Sequence, residues 1–199
     1  MLLRDLGRAE YSEAHAEMLR TVDARRAGTI EDTVLLVEHP HVFTRGRKSR
    51  DLSNVLDAGD VPVVAVERGG DITYHGPGQL VIYPVFALLE GERDAPRFIR
   101  RLEGWVMDTM ARLGVVDGER RPGFSGVWCR GKKVASVGVA VTADWITWHG
   151  IALNVRPDLS YFTRINPCGM QAGIMTSLEV LAGRSISMEE AREALKAEL

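Results

Sequence analysis

Cysteine is scarce in this 199-residue chain, which holds only Cys129 and Cys168. A secreted domain stapled by disulfides carries more. No His/Cys group stands at metal-ligand spacing, so no metal site is expected either. A surplus of positive charge is also missing: 25 basic residues face 27 acidic ones, for a formal net charge of -2. Phosphate backbones usually demand a basic excess, so no nucleic-acid partner is expected. No apolar run approaches the roughly 18 residues needed to span a bilayer, so no membrane association is expected. The opening MLLRDLGR becomes charged at once and lacks the apolar stretch of a signal peptide. Repeats, low-complexity tracts and linkers are absent too. A cytoplasmic, reducing setting is the expectation, and a free thiol survives there. With 45% hydrophobic and 26% charged residues, residues 1–199 read as a single catalytic-sized domain with one core.

What is present divides into alternating helix-like and strand-like segments. Tyr11, Ala14, Met18 and Val22 recur at helical spacing, which predicts a helix over 11–26 stopped by Gly28. Asp32 to His39 has strand character, Val42 to Leu56 reads as a polar, basic loop, and Val61 to Arg68 reads as another strand. Gln79 to Leu88 forms a further strand after a Gly-Pro-Gly turn. Asp94 can cap a helix with Pro96 in its first turn. Its face would be Phe98, Leu102, Trp105, Val106, Thr109 and Leu113, and Gly114 would end it. Val127 to Cys129, Lys133 to Val141 and Trp145 to Val155 follow as strands joined by tight turns. Ser187 with Glu190 resembles a capping box for a last helix. Tight turns between several strands favour a mixed, largely antiparallel sheet flanked by helices, an α+β fold, over a doubly wound parallel one.

Four segments can carry chemistry. Arg68 to Pro84 (RGGDITYHGPGQLVIYP) packs glycines beside Arg68, Thr73, Tyr74, His75 and Gln79. Glycine lets a backbone approach a ligand closely, so a binding loop competes with a complicated turn as the reading. The segment lacks both phosphate-loop patterns. Cys168 lies between Pro167 and Gly169 in a turn-like stretch, where it is either an inert small hydrophobe or a nucleophile. Cys129, in the strand-like GVWC, reads as core. Lys133 opens an apolar strand and is either solvated or drawn to a partly buried site. His149, between Trp148 and Gly150, is either a hydrogen-bonded core histidine or part of a pocket wall.

Together these segments resemble the octanoyltransferase family, the cofactor-independent acyltransferases of lipoate biosynthesis. Four ordered blocks carry the resemblance, from Glu38 to about Gly169: Glu38 to Arg47, Arg68 to His75 with Gln79 and Tyr83, Gly131 to Gly138, and Phe162 to Gly169. The resemblance implies the mixed-sheet fold of the biotin and lipoate protein ligases and no cofactor. It implies an octanoyl (or lipoyl) group passed from acyl carrier protein to a lysine of a lipoyl domain. The alternatives are an ATP-dependent lipoate or biotin protein ligase on the same fold, and an amidotransferase moving octanoyl between lipoyl domains. The acceptors would be the lipoyl domains of 2-oxoacid dehydrogenases and the glycine cleavage H protein. Cys168 would be the acyl-thioester nucleophile and Lys133 its partner. Arg68, Gly69, Gly70, Asp71, Ile72, Thr73, Tyr74 and His75 would line the substrate site with Ser136, Val137 and Gly138. Gly150, Ile151 and Ala152 would complete it beside His149.

The chemistry fits those residue types. A free thiol has a pKa near 8.5, so only a few per cent is thiolate at pH 7. A cation within about 4–6 Å lowers that pKa by about 1–3 and so activates the sulfur. Backbone N–H groups near Cys168 and Gly169, or the side chain of His75, are candidate donors to the oxyanion. Arg97, Arg100 and Arg101 on one helix face, and Arg45, Arg47, Lys48 and Arg50 in one segment, either steer an acidic donor or are simply solvated.

Overall fold

The computed structural model describes residues 1–49, 51–166 and 172–199. Its strands are β1 (Leu2–Arg8), β2 (Thr33–Glu38), β3 (Val42–Arg45), β4 (Val63–Ala65), β5 (Ile72–His75), β6 (Gln79–Val85), β7 (Gly118–Arg121), β8 (Phe124–Cys129), β9 (Lys132–Val141) and β10 (Thr147–Asn154). Its helices are α1 (Tyr11–Arg26), α2 (Ala95–Arg112), α3 (Leu178–Ala182) and α4 (Met188–Lys196). Seven strands form one sheet in the order β1-β2-β6-β10-β9-β8-β7, and three form a second in the order β4-β3-β5. The β1–β2 and β3–β4 pairs are parallel and the others antiparallel. The expected mixed, largely antiparallel sheet with helices is therefore present.

Alternation along the strands gives the large sheet two buried faces. Val34 and Leu36 of β2, Leu80 and Ile82 of β6, and Ile151 and Leu153 of β10 pack with Phe98, Leu102, Val106 and Met110 of α2 and Leu195 of α4. Leu35, Val37, Val81, Tyr83 and Ala152 face the other way, toward Ala14, Met18 and Val22 of α1. The helix ends follow from local chemistry. Asp94 accepts the Arg97 backbone N–H at 3.0 Å at the start of α2. Pro96 sits in that first turn, where its missing N–H costs nothing. Ser187 Oγ accepts the Glu190 N–H at 3.0 Å. The Glu190 carboxylate accepts from Arg184 at 2.6 Å, so only half of the expected box forms.

Three expectations need correction. The segment 42–56 is not all loop, because Val42–Arg45 pairs with both β4 and β5. The strand expected over 61–68 shrinks to Val63–Ala65, since Glu67 and Arg68 turn away to begin the glycine loop. That glycine segment ends in a strand: Ile72–His75 is β5.

One irregularity shapes the site. Pro84 sits in β6 with no N–H to give to the neighbouring β10. The β6–β10 ladder covers only Ile151–Asn154 against Gln79–Ile82. It resumes as a bond from the Thr147 N–H to the Phe86 carbonyl at 2.9 Å. Between those points β10 passes Pro84 with His149 at φ +56°. Gly150 is required there, because a Cβ would lie 2.3 Å from the Ile82 carbonyl oxygen and 2.6 Å from Pro84 Cδ.

Candidate active site

A cavity of about 430 Å³ opens between the large sheet, the small sheet and α1, within the usual size range for small-molecule sites. Lys133 and every expected substrate-site residue but one line it: Arg68 to Thr73, His75, Ser136 to Gly138, and His149 to Ala152. The exception is Tyr74. Strand alternation turns it away from Thr73 and His75, and it is fully buried against Phe43 and Phe162. Its hydroxyl meets His41 Nδ1 at 2.8 Å, and its ring stacks on Tyr161. Tyr74 therefore holds the outer sheet together rather than walling the cavity.

Sequence reasoning missed part of the lining. Tyr11, Val81, Phe124 and Met175 contribute apolar surface, Lys48 a charge and Ser125 a hydroxyl. Tyr83, noted only as part of a motif, also faces the cavity. Helical periodicity sets Tyr11 on the apolar face of its helix, and Val81 falls unremarked within an expected strand; both are buried. No signal in the sequence separates core from cavity wall.

Arg68 is a clamp. Its guanidinium donates to the carbonyls of Gly69 (3.1 Å), Asp71 (2.8 Å) and Thr44 (2.6 Å) and to Thr44 Oγ1 (2.9 Å). The Gly69 N–H in turn donates to the Val139 carbonyl at 2.9 Å and ties the loop to β9. Gly138 makes room for this approach, since a Cβ there would lie 3.0 Å from the Gly69 oxygen. Gly70, at φ +84°, supplies the left-handed backbone that turns the loop.

From Arg68 a directional chain of hydrogen bonds crosses the floor. Thr44 Oγ1 accepts from Arg68 and donates to His75 Nε2 at 3.1 Å. His75 Nδ1–H donates to Gln79 Oε1 at 2.7 Å. Gln79 Nε2 donates to Asn154 Oδ1 at 3.0 Å and to the Tyr74 carbonyl at 3.1 Å. Asn154 Nδ2 donates to the Thr176 carbonyl at 2.9 Å, and the Thr176 N–H to the Lys133 carbonyl at 2.9 Å. The acceptor oxygen of Gln79 fixes the His75 tautomer. Burial then pushes the His75 pKa well below its ordinary value, with the charges of His39 and Arg68 adding to the effect. The single N–H of this neutral ring is committed to Gln79. His75 is thus not an oxyanion donor, contrary to one of the options above.

His39 is held in the same manner: Nδ1–H donates to the Ala9 carbonyl at 2.9 Å, and Nε2 accepts from the Tyr83 hydroxyl at 2.9 Å. Burial lowers its pKa to about 4. His149 is a pocket-wall histidine, 2% exposed, with a pKa lowered to about 3 by burial and by the Arg68 charge. Its Nε2 makes no hydrogen bond and lies 3.4 Å from Glu67 Oε2. The same Glu67 oxygen is 3.2 Å from His15 Nε2. Desolvation raises the Glu67 carboxyl, but the His15 hydrogen bond and the two neighbouring imidazoles outweigh it and hold the group below its ordinary value. His15, Glu67 and His149 thus form one three-residue group able to hold a metal ion, from segments too far apart for any spacing rule to join.

Lys133 also lines the cavity, 5% exposed. It stands across from Trp128 in the β8–β9 ladder, with Nζ 5.7 Å from that ring's centroid. Gly126, at φ +124°, clears a path for its stem, because a Cβ would lie 2.7 Å from Lys133 Cε. Met175 bridges to Lys133 and faces the cavity. Cys168 and Gly169 lie outside the described residues. Cys129 is the buried core residue expected. Desolvation first, then its hydrogen bond to Asp117, pushes its thiol up to about 11, so it is no nucleophile at neutral pH.

Known proteins share this architecture. A family model of the lipoyl protein ligase A/B catalytic domain matches residues 10–199. All of the chain superposes on 84% of a crystal structure of lipoate-protein ligase A bound with ATP, with a TM-score of 0.75 at 17% identity. A biotin protein ligase from Aquifex aeolicus in its apo form aligns over 99% of this chain and 66% of its own, with a TM-score of 0.56 at 12% identity. The fold is that of the lipoate and biotin protein ligases. Sequence narrows the class. An octanoyltransferase of Geobacter metallireducens is 45% identical over 98% of this chain and 90% of its own length. One of Rubrobacter xylanophilus is 46% identical over 92% and 84%. The chain belongs to the octanoyltransferase family, enzymes of octanoyl transfer in protein lipoylation. Among the described residues, no helix is long and apolar enough to cross a membrane.

Proposed function

We propose that residues 1–199 act as one catalytic unit in the cytoplasm. It takes an octanoyl group from acyl carrier protein onto Cys168 and passes it to a lysine of a lipoyl domain. The observation that carries this reading is Lys133: a lysine 5% exposed, on the wall of the same largely apolar cavity that the clamped Arg68–Asp71 loop lines. A buried lysine is rarely mere solubilising charge. Met175, seven residues after Cys168, pairs with Lys133, which supports the two residues working together.

In the first half-reaction the Cys168 thiolate attacks the donor thioester carbonyl. The tetrahedral intermediate collapses with loss of the phosphopantetheine thiol, which takes up a proton. One thioester replaces another, so the step is close to balanced. In the second, the acceptor amine attacks the acyl-cysteine, the C–S bond breaks, and an amide forms. The acceptor lysine, with an unperturbed pKa near 10.4, must first lose a proton. In the first half-reaction Lys133, as the ammonium partner of the thiolate, gives its proton to the leaving phosphopantetheine thiolate. Neutral once Cys168 is acylated, it can take the proton of the acceptor lysine, and Cys168 leaves as the thiolate again. Exposed Arg47 and Lys48 beside the cavity, and exposed Arg97 and Arg100 on α2, suit an acidic carrier protein. Eight carbons buried at roughly 0.8 kcal/mol per methylene supply binding energy but separate neighbouring chain lengths only modestly.

The fold also serves an ATP-bound ligase, so the donor is the point to test. Purified protein is given a lipoyl domain with either octanoyl carrier protein or octanoate plus ATP. Transfer from the carrier protein without ATP is expected. Transfer that needs ATP and free octanoate, with none from the carrier protein, would mean a ligase.

A further inference from the structure

We propose that His15, Glu67 and His149 form a binding site for a divalent cation of the zinc class, beside the acyl cavity and apart from the Cys168–Lys133 chemistry. Zinc takes imidazole nitrogen at about 2.0–2.1 Å and carboxylate oxygen at about 2.0–2.2 Å, so neighbouring ligand atoms of a tetrahedral site lie about 3.3–3.4 Å apart. Glu67 Oε2 stands 3.2 Å from His15 Nε2 and 3.4 Å from His149 Nε2. All three atoms lie within 4.8 Å of one another. His15, partly exposed on α1, is the ligand that would have to move to bring the two imidazoles to coordination distance.

The second observation is His149 itself. Its Nε2 is buried and makes no hydrogen bond, although a buried polar atom without a partner is costly. A cation at the centre of the group satisfies it. The three ligands are also held from independent directions. His15 follows Tyr11 by one helical turn on α1. Glu67 directly precedes the Arg68 clamp. His149 is fixed by the passage of β10 past Pro84, with its backbone N–H 3.0 Å from Met18 Sδ. Two imidazoles and one carboxylate suit zinc, cobalt or nickel better than calcium or magnesium, which prefer all-oxygen shells. Two neutral imidazoles and one carboxylate leave one positive charge on a bound dication. With Arg68 close by, that favours an anionic fourth ligand.

The test is cobalt titration of the purified, metal-stripped 199-residue chain, with zinc used afterwards as competitor. One equivalent of Co(II) is expected to give the visible absorption of a tetrahedral site, without a sulfur-to-cobalt charge-transfer band, and zinc is expected to abolish it. His15→Ala and Glu67→Gln should each weaken binding by about tenfold or more, with melting curves showing that both variants fold. If His15→Ala is unfolded, Glu67→Gln, which keeps the side-chain size, decides. The proposal is overturned if the native chain binds no cobalt. It is also overturned if a sulfur band shows the metal on cysteine, or if the folded variant binds as tightly as the native chain.

Discussion

On one face of the seven-stranded sheet Val34, Leu36, Leu80 and Ile82 meet the apolar sides of α2 and α4, whereas the cavity side sets Tyr83, His75, His149 and Arg68 around an opening beside α1. The first face is held by area and volume, which are non-directional. The second is held by hydrogen bonds with fixed donors and acceptors, from Arg68 through Thr44, His75, Gln79 and Asn154 to Thr176. A change on the helix side should cost stability in proportion to volume lost. A change on the cavity side should cost chemistry, or both.

The widest break between the two sides is expected at Lys133. Lys133→Ala should slow acyl transfer by about 10²–10⁴-fold, the usual contribution of a positioned acid–base group, while the protein still folds. Single-turnover rates for loading and for transfer measure this separately, and native rates in both half-reactions would remove Lys133 from the mechanism. Leu102→Ala on the helix side should do the opposite. Leu102 is fully buried, and its truncation should cost about 2–5 kcal/mol in a denaturant titration. The rate per folded molecule should not change, and if it falls as well the two faces are coupled.

Gln79→Leu tests whether direction matters more than volume. The substitution keeps the space filled but strands the His75 N–H and the Asn154 and Tyr74 oxygens, at about 1–3 kcal/mol for each buried group left unpaired. Both stability and transfer should fall, and a variant equal to native in both would reduce the chain to packing.

The pH dependence separates the two sides without a substitution. The folded pKa of His39 is about 4, and His75 lies well below its ordinary value, against about 6.5 in the unfolded chain. Below pH 6.5 the unfolded state takes up protons that the native state refuses, so stability falls as pH drops. Above pH 6.5 these groups give no slope. A melting temperature flat between pH 7 and 5 would contradict the buried neutral histidines.

The two sides were not equally legible in the sequence. Helix α1 has the bounds its periodicity gave, and Asp94, Pro96 and Ser187 mark their helix starts, because a 3.6-residue pattern and caps are local. The blocks around Arg68 and Ser136 are legible as motifs, Gly150 to Ala152 only through the family resemblance, and all three meet at one cavity. Edge strands escaped. Leu2–Arg8 and Gly118–Arg121 are charged and largely exposed, so they show neither alternation nor an apolar run. The outward turn of Tyr74 depended on seeing Ile72–His75 as a strand, which the glycines around it concealed. The group of His15, Glu67 and His149 was invisible for a different reason: its members come from α1, the start of the glycine loop and β10, and only the fold joins them.

The central claim is that the octanoyl group rests on Cys168 between donor and acceptor. Its most direct test is the intact mass of the purified protein after mixing with octanoyl carrier protein and no lipoyl domain. The account predicts one added octanoyl group, removed by hydroxylamine, present in Cys129→Ser and absent in Cys168→Ala. A modification that persists in Cys168→Ala, or native transfer with no acyl-enzyme at any time point, would contradict it.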